Sequence, residues 1–214
     1  MRKLIAHRAA KPALFVLCLL PFAWLTYAAA ADQLGANPAE ALIRQLGDWT
    51  LRFLCIVLAV TPLRLATGTP ELARLRRMLG LFVAFYALVH LLAYVAFDMG
   101  FDAGEIARDI AKRPFILVGS LAALLLALLA ATSFNRAIKA LGAVRWRRLH
   151  RSVYAVAALA ILHFYWMRAG KRDFAEVAVY AAILAVLLGW RAWAALRKRR
   201  AQGSAGIPGK LQNQ

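Results

Sequence analysis

Six long apolar runs dominate this chain: Pro12–Ala31, Trp49–Leu65, Gly80–Phe97, Phe115–Thr132, Ser152–Met167 and Phe174–Ala195. Each approaches the ~20 residues that a helix needs to cross about 30 Å of hydrocarbon. In lipid every backbone N–H and C=O must be paired, which leaves helices or a closed barrel. The runs are longer than the ~9–11 residues of a barrel strand, and they do not alternate between apolar and polar. They predict an all-α integral membrane protein, a bundle of six transmembrane helices. The composition agrees, with 63% hydrophobic residues against roughly 45–50% in a soluble domain. Little chain remains for a soluble domain.

A formal net charge of +18 raises nucleic acid as a partner, but its distribution points to lipid. The basic residues fall in short runs between apolar segments, as positive-inside topology requires. Arg64, Arg74, Arg76 and Arg77 stand against Glu71 in one loop. Arg136, Lys139, Arg145, Arg147, Arg148 and Arg151 fill another, and Arg197, Lys198, Arg199 and Arg200 follow the last run. The alternate loops are acidic: Asp32, Glu40, Arg44 and Asp48 mark the first, and Asp98, Asp102, Glu105 and Asp109 the third. Both termini are therefore expected in the cytoplasm, with the chain a multi-pass membrane protein. The N-terminal MRKLIAHRAAK, its apolar run and TYAAAADQ also fit a cleavable signal peptide. The near-full spanning length favours a retained first helix. The fifth loop, RAGKRD, is basic yet falls outside. Arg168, Lys171 and Arg172 there suit the carboxylates of a bound cofactor, an acidic patch on a partner, or plain solubility.

Cys18 and Cys55 lie in apolar runs and read as small buried hydrophobes. No C-x-x-C-H is present, so covalent haem attachment is excluded. Pro21, Pro62 and Pro114 mark helix ends or kinks. No phosphate loop, nucleophile elbow or paired acids point to hydrolysis. Residues 201–214, AQGSAGIPGKLQNQ, are rich in Gly and polar residues and read as a disordered cytoplasmic tail.

Ionisable residues inside membrane segments are costly and usually functional. His90 lies within LFVAFYALVHLLAYVAF and His163 within SVYAVAALAILHFYW. At 1.5 Å per residue both stand about 15–17 Å from the inner edge of parallel helices. The plain alternative is a hydrogen bond to a neighbouring helix. Zinc would want four ligands, with Cys or carboxylate among them. A proton relay would want Asp or Glu in the helices, and none is expected there. A b-type haem brings four nitrogens and asks for only one or two axial ligands, so it suits His90 and His163 best.

His150 stands about 20 Å along a helix from His163 and cannot share its cofactor. It reads either as a solvated interfacial residue or as part of an inner cofactor site. Arg77 holds the equivalent frame before His90, and its planar fork suits a propionate or a flavin phosphate. Phe164, Tyr165 and Trp166 read as an interfacial belt or a wall of the haem site. Trp49, Trp146 and Trp190 read as interface residues near segment ends.

Several pieces in order, LGANPAEALIRQLGDWTLRFL, LAVTPLR, RRMLGLFVAFYALVHLLAY, KRPFILVGS and WRRLHRSVYAVAALAILHFYW, resemble the MsrQ (YedZ) family. These are haem-binding membrane subunits of a periplasmic protein-methionine-sulfoxide reductase system, within the ferric-reductase-like transmembrane group. The resemblance covers residues 1–200. It implies iron in b-type haem, with His90, His150 and His163 at the ligand positions, and FMN as a second cofactor. It also implies electron transport from the quinone pool or a cytosolic flavin reductase to a periplasmic molybdopterin methionine sulfoxide reductase. Reduction itself would then belong to the partner. Two alternatives stand beside it: a self-sufficient quinol or ferric oxidoreductase, and a small histidine-dependent proton-coupled transporter.

Overall fold

The computed structural model describes residues 7–170 and 172–204. Among these described residues eight α-helices follow one another: α1 Ala10–Ala30, α2 Pro38–Ala66, α3 Arg76–Ala93, α4 Ala103–Lys112, α5 Pro114–Ala131, α6 Asn135–His150, α7 Val153–Ala169 and α8 Ala175–Ser204. A 3₁₀ turn, Pro70–Arg74, precedes α3, and a π turn, Tyr94–Asp98, extends it. Among the described residues there is no strand. Six segments of the described residues are long and apolar enough to cross a membrane. They correspond to α1, α2, α3 with its π turn, α5, α6 together with α7, and α8, so the six-helix expectation holds.

The boundaries differ most at α2. It starts well before the apolar run, so Glu40, Arg44 and Asp48 lie on a helix rather than in a loop. The local chemistry explains this. The Asn37 side chain accepts from the Glu40 N–H at 3.2 Å, and Pro38 occupies the first turn. Both are strong start signals for a helix. Ala, Leu, Arg and Gln then carry it forward on propensity rather than apolarity. At the other end of the chain α8 continues to Ser204, past the boundary drawn at residue 200. Residues 205–214 of the expected tail, and Lys171, lie outside the described residues.

Packing centres on two helix pairs. α2 lies along α3, and α5 along α7; α3 also touches α5, while α8 closes against α2 and α7. The buried core runs through these helices, with Leu46, Leu54, Leu58, Val83, Tyr86 and Val156 almost fully enclosed. Trp49 belongs to this interior. Its ring lies 6.4 Å from Tyr86 and 6.0 Å from Phe53, with the Arg52 guanidinium 4.6 Å away. Because α2 begins at Pro38, Trp49 falls inside the helix rather than near its end. Cys18 and Cys55 are buried, as expected.

Two prolines sit inside helices, and each has a side chain from another helix beside it. Near Pro21 the Tyr86 hydroxyl accepts from the Phe22 N–H at 3.0 Å and donates to the Cys18 C=O at 2.8 Å. Those two groups are i→i−4 partners of an α-helix, so α3 pins α1 at its weak point. Pro62 has no N–H to offer the Leu58 C=O. Arg191 of α8 donates to that carbonyl at 2.7 Å. Prolines survive in membrane helices where neighbours satisfy the freed backbone groups.

Candidate functional site

A cavity of about 440 Å³ lies among α2, α3, α5 and α7, within the range of cofactor pockets. His90 of α3 and His163 of α7 both face it. Their ring centroids are 6.3 Å apart and their planes stand at 79°. The depth match in the sequence thus becomes convergence on one space.

Each ring is held from behind by the backbone of a neighbouring helix. His90 Nδ1 lies 2.8 Å from the Ile43 C=O on α2. His163 Nδ1 lies 2.6 Å from the Phe115 C=O on α5. A carbonyl can only accept, so Nδ1 carries the proton and Nε2 keeps its lone pair. This is the tautomer in which a histidine ligates metal through Nε2, with its other N–H fixed by an acceptor.

A metal between two imidazoles fits this spacing. Metal–nitrogen bonds of about 2 Å, with roughly 1.1 Å from each nitrogen to its ring centre, separate the centroids by about 6 Å. Among the described residues, no group of three or more His, Cys, Asp or Glu is placed to hold a metal ion. The donor set therefore fits a metal that arrives with most of its ligands, as haem iron does, and does not fit zinc.

The cavity walls are largely apolar, with Leu51, Leu54, Leu126 and buried Phe164 among them. Of the three aromatics after His163, Phe164 alone lines the cavity; Tyr165 and Trp166 are exposed. One end is polar. Asn37, Glu40, Arg44, Asp98 and Arg113 line it, near where α2, the π turn and α5 start or stop. Asp109 ties this end together, accepting from the Tyr94 hydroxyl at 2.8 Å and pairing with Arg113 at 2.9 Å. Asp48 also lines the cavity. That corrects the expectation of helices without acids: the carboxyls sit on the early turns of α2, where the sequence was read as loop.

One of the RAGKRD charges, Arg168, has a local explanation that the loop's sequence did not suggest. Arg168 pairs with Asp173 at 3.2 Å and Glu176 at 2.6 Å, its side chain only 14% exposed. It does not line the cavity, whereas Arg44 and Arg113 do.

His150 and Arg77 stand elsewhere. The Thr132 hydroxyl donates to the Leu128 C=O at 2.8 Å. The 3.2 Å contact of His150 Nε2 with Thr132 Oγ1 therefore has the imidazole as donor. Trp146 stacks on the His150 ring at 4.0 Å and donates to the Thr132 C=O at 2.9 Å. Trp146 thus packs onto His150 as well as lying near a helix end. Arg77, exposed, donates to Asn135 Oδ1 at 2.8 Å, which joins the start of α3 to the start of α6. No contact joins Arg77 to His150 among the described residues.

Residues 46–161 match the family described as ferric reductase like transmembrane component, so the chain is built on that membrane unit. The match includes His90, His150 and Arg77 and ends just before His163. Relatives similar along nearly the whole chain carry the name protein-methionine-sulfoxide reductase heme-binding subunit MsrQ. The one from Polaromonas naphthalenivorans is 66% identical over 208 residues, 96% of this chain and 95% of the relative. Those from Ralstonia nicotianae and Bordetella pertussis are 50% and 52% identical, covering 93% and 89% of this chain and 92% of each relative. The chain belongs to the MsrQ family.

Proposed function

We propose that this chain is the haem-binding electron-transfer subunit of a protein-methionine-sulfoxide reductase system in a bacterial inner membrane. The observation that carries the reading is the His90–His163 pair, 6.3 Å apart across one cavity with each Nδ1 fixed by a carbonyl. His90 and His163 would hold the iron of a b-type haem through Nε2. Bound there, haem would supply one-electron exchange between its ferric and ferrous states. The apolar walls would exclude water, and Arg44 and Arg113 at the polar end would meet the propionates. His150, with Arg77, would serve electron uptake at the basic end, which positive-inside topology assigns to the cytoplasm along with both termini.

The family relationship supports the rest of the route. Electrons would come from the quinone pool or a cytosolic flavin reductase, with FMN as a second cofactor. They would leave to a periplasmic molybdopterin subunit that reduces methionine sulfoxide in oxidised proteins. The test is the absorbance of purified protein in detergent. Wild type is expected to show a b-type haem spectrum. His90→Ala and His163→Ala should lose that haem, since neither neighbourhood offers a replacement imidazole. A colourless wild type, or full haem in both variants, would refute the assignment. His150→Ala should keep the haem of His90 and His163 but take up electrons from the natural donor more slowly.

A further inference from the structure

The two histidines are held in the same way by two different helices, and a glycine accompanies each hold. In an α-helix the C=O of residue i meets the N–H of residue i+4. Ile43 and Gly47 form such a pair on α2, and Phe115 and Gly119 form one on α5. Ile43 supplies the acceptor for His90 and Phe115 the acceptor for His163. A Cβ at position 47 would lie 3.2 Å from His90 Cε1 and 3.4 Å from Nδ1. At position 119 it would lie 2.6 Å from His163 Nδ1 and 2.8 Å from Cε1, closer than the 3.0 Å that real Cβ contacts respect. Each imidazole thus occupies the space that a side chain one turn past its acceptor would fill.

We propose that Gly47 and Gly119 are positioning residues for the two haem ligands: lacking a Cβ, each lets an imidazole reach the carbonyl one turn earlier. The proposal rests on the reading of His90 and His163 as axial ligands. General small-residue packing does not account for the pattern. A Cβ on Gly80 would meet only Val57 at an ordinary 4.0 Å, and one on Gly189 would meet nothing within 4 Å. Glycine inside a helix is less favourable than alanine, and the hydrogen bond it permits offsets that. The bond fixes the tautomer and makes the imidazole a stronger donor. A stronger donor favours ferric over ferrous iron, so loosening the bond raises the reduction potential.

The experiment compares Gly47→Ala, Gly119→Ala and Gly80→Ala with wild type and with the two histidine variants, all produced with the same haem supply and purified in detergent. Haem content, reduction potential and the low-temperature electron paramagnetic resonance of the ferric state are read for each. Gly47→Ala should keep its haem, because a 3.2 Å contact needs only a small shift of the ring. Its potential should rise. A tenfold loss of ferric relative to ferrous affinity, at the low end of outer-shell effects, corresponds to about 59 mV for one electron. Its ferric signal should move as the angle between ring planes departs from 79°. Gly119→Ala should lose haem or one axial ligand, and Gly80→Ala should match wild type. An unchanged or lowered potential in Gly47→Ala overturns the proposal, and this variant decides even if Gly119→Ala does not fold. If the histidine variants keep full haem, the ligand reading falls and takes the proposal with it. If they lose haem while Gly47→Ala behaves as Gly80→Ala, the positioning role alone is refuted.

Discussion

Removing Arg191 should be costly in wild type and much less so once Pro62 is replaced by alanine. Pro62 leaves the Leu58 C=O without its helical donor, and Leu58 is only 1% exposed. Arg191 Nη2 donates to that oxygen at 2.7 Å, while Nη1 donates to the Tyr154 hydroxyl at 3.0 Å. A hydrogen bond from a charged group contributes about 1.5–3 kcal/mol. Partial solvation and the membrane setting bring it to the lower end. Arg191→Ala should therefore destabilise by about 2–3 kcal/mol, counting the Tyr154 contacts. In Pro62→Ala the new N–H at position 62 can satisfy Leu58, and only the Tyr154 share is lost. The double-mutant cycle should give a coupling of about 1–2 kcal/mol, above the ~0.5 kcal/mol scatter of independent sites. Unfolding of the four proteins in mixed micelles with rising dodecyl sulfate, followed by helical circular dichroism, measures it. Additivity within that scatter would mean that Arg191 does not answer the carbonyl that Pro62 leaves bare.

Tyr86→Phe keeps the ring but removes the hydroxyl that bonds Cys18 and Phe22 beside Pro21. It should destabilise by about 1–2 kcal/mol in the same assay, and a loss below ~0.3 kcal/mol would show that the bridge contributes nothing. Arg44→Gln or Arg113→Gln should shift the haem potential in a redox titration, because these side chains line the cavity, whereas Arg168→Gln should not. Asn37→Ala removes the cap of α2 and should lower stability by about 1 kcal/mol, read as a fall in melting temperature in detergent.

The legible part of this protein was whatever apolarity and spacing encode. Six runs of near-spanning length fixed the bundle, and the equal depth of His90 and His163 anticipated their meeting. What escaped was written in other terms. The first turns of α2 carry Glu40, Arg44 and Asp48, so a reading by hydropathy gave them to a loop, although Asn37, Pro38 and strong helix formers mark a helix start. That one misplaced boundary hid an acid on the wall of the histidines' cavity and put Trp49 near a segment end when it lies inside a helix. RAGKRD looked anomalous because loop charges were counted by sign alone. Arg168 is answered by Asp173 and Glu176, and Glu176 lies beyond the loop on α8.

The backbone acceptors were hidden for a different reason. A carbonyl oxygen is present at every residue, so nothing in the identity of Ile43 or Phe115 marks it as an anchor for an imidazole. The only sequence trace is the glycine that follows one turn later. Both glycines sit in helices where alanine would be more stable by about 1 kcal/mol, so each needs a packing or functional reason. For Gly47 and Gly119 that reason is a ring from the adjacent helix. The trace is usable in reverse: an interior helical glycine, with a membrane histidine elsewhere in the chain, points to the carbonyl four residues before it as an acceptor for that histidine. The absence of such a contact at Gly80 and Gly189 shows that glycine alone is not sufficient. What makes the signal is a ring that fills the missing side chain's place and a carbonyl within its reach.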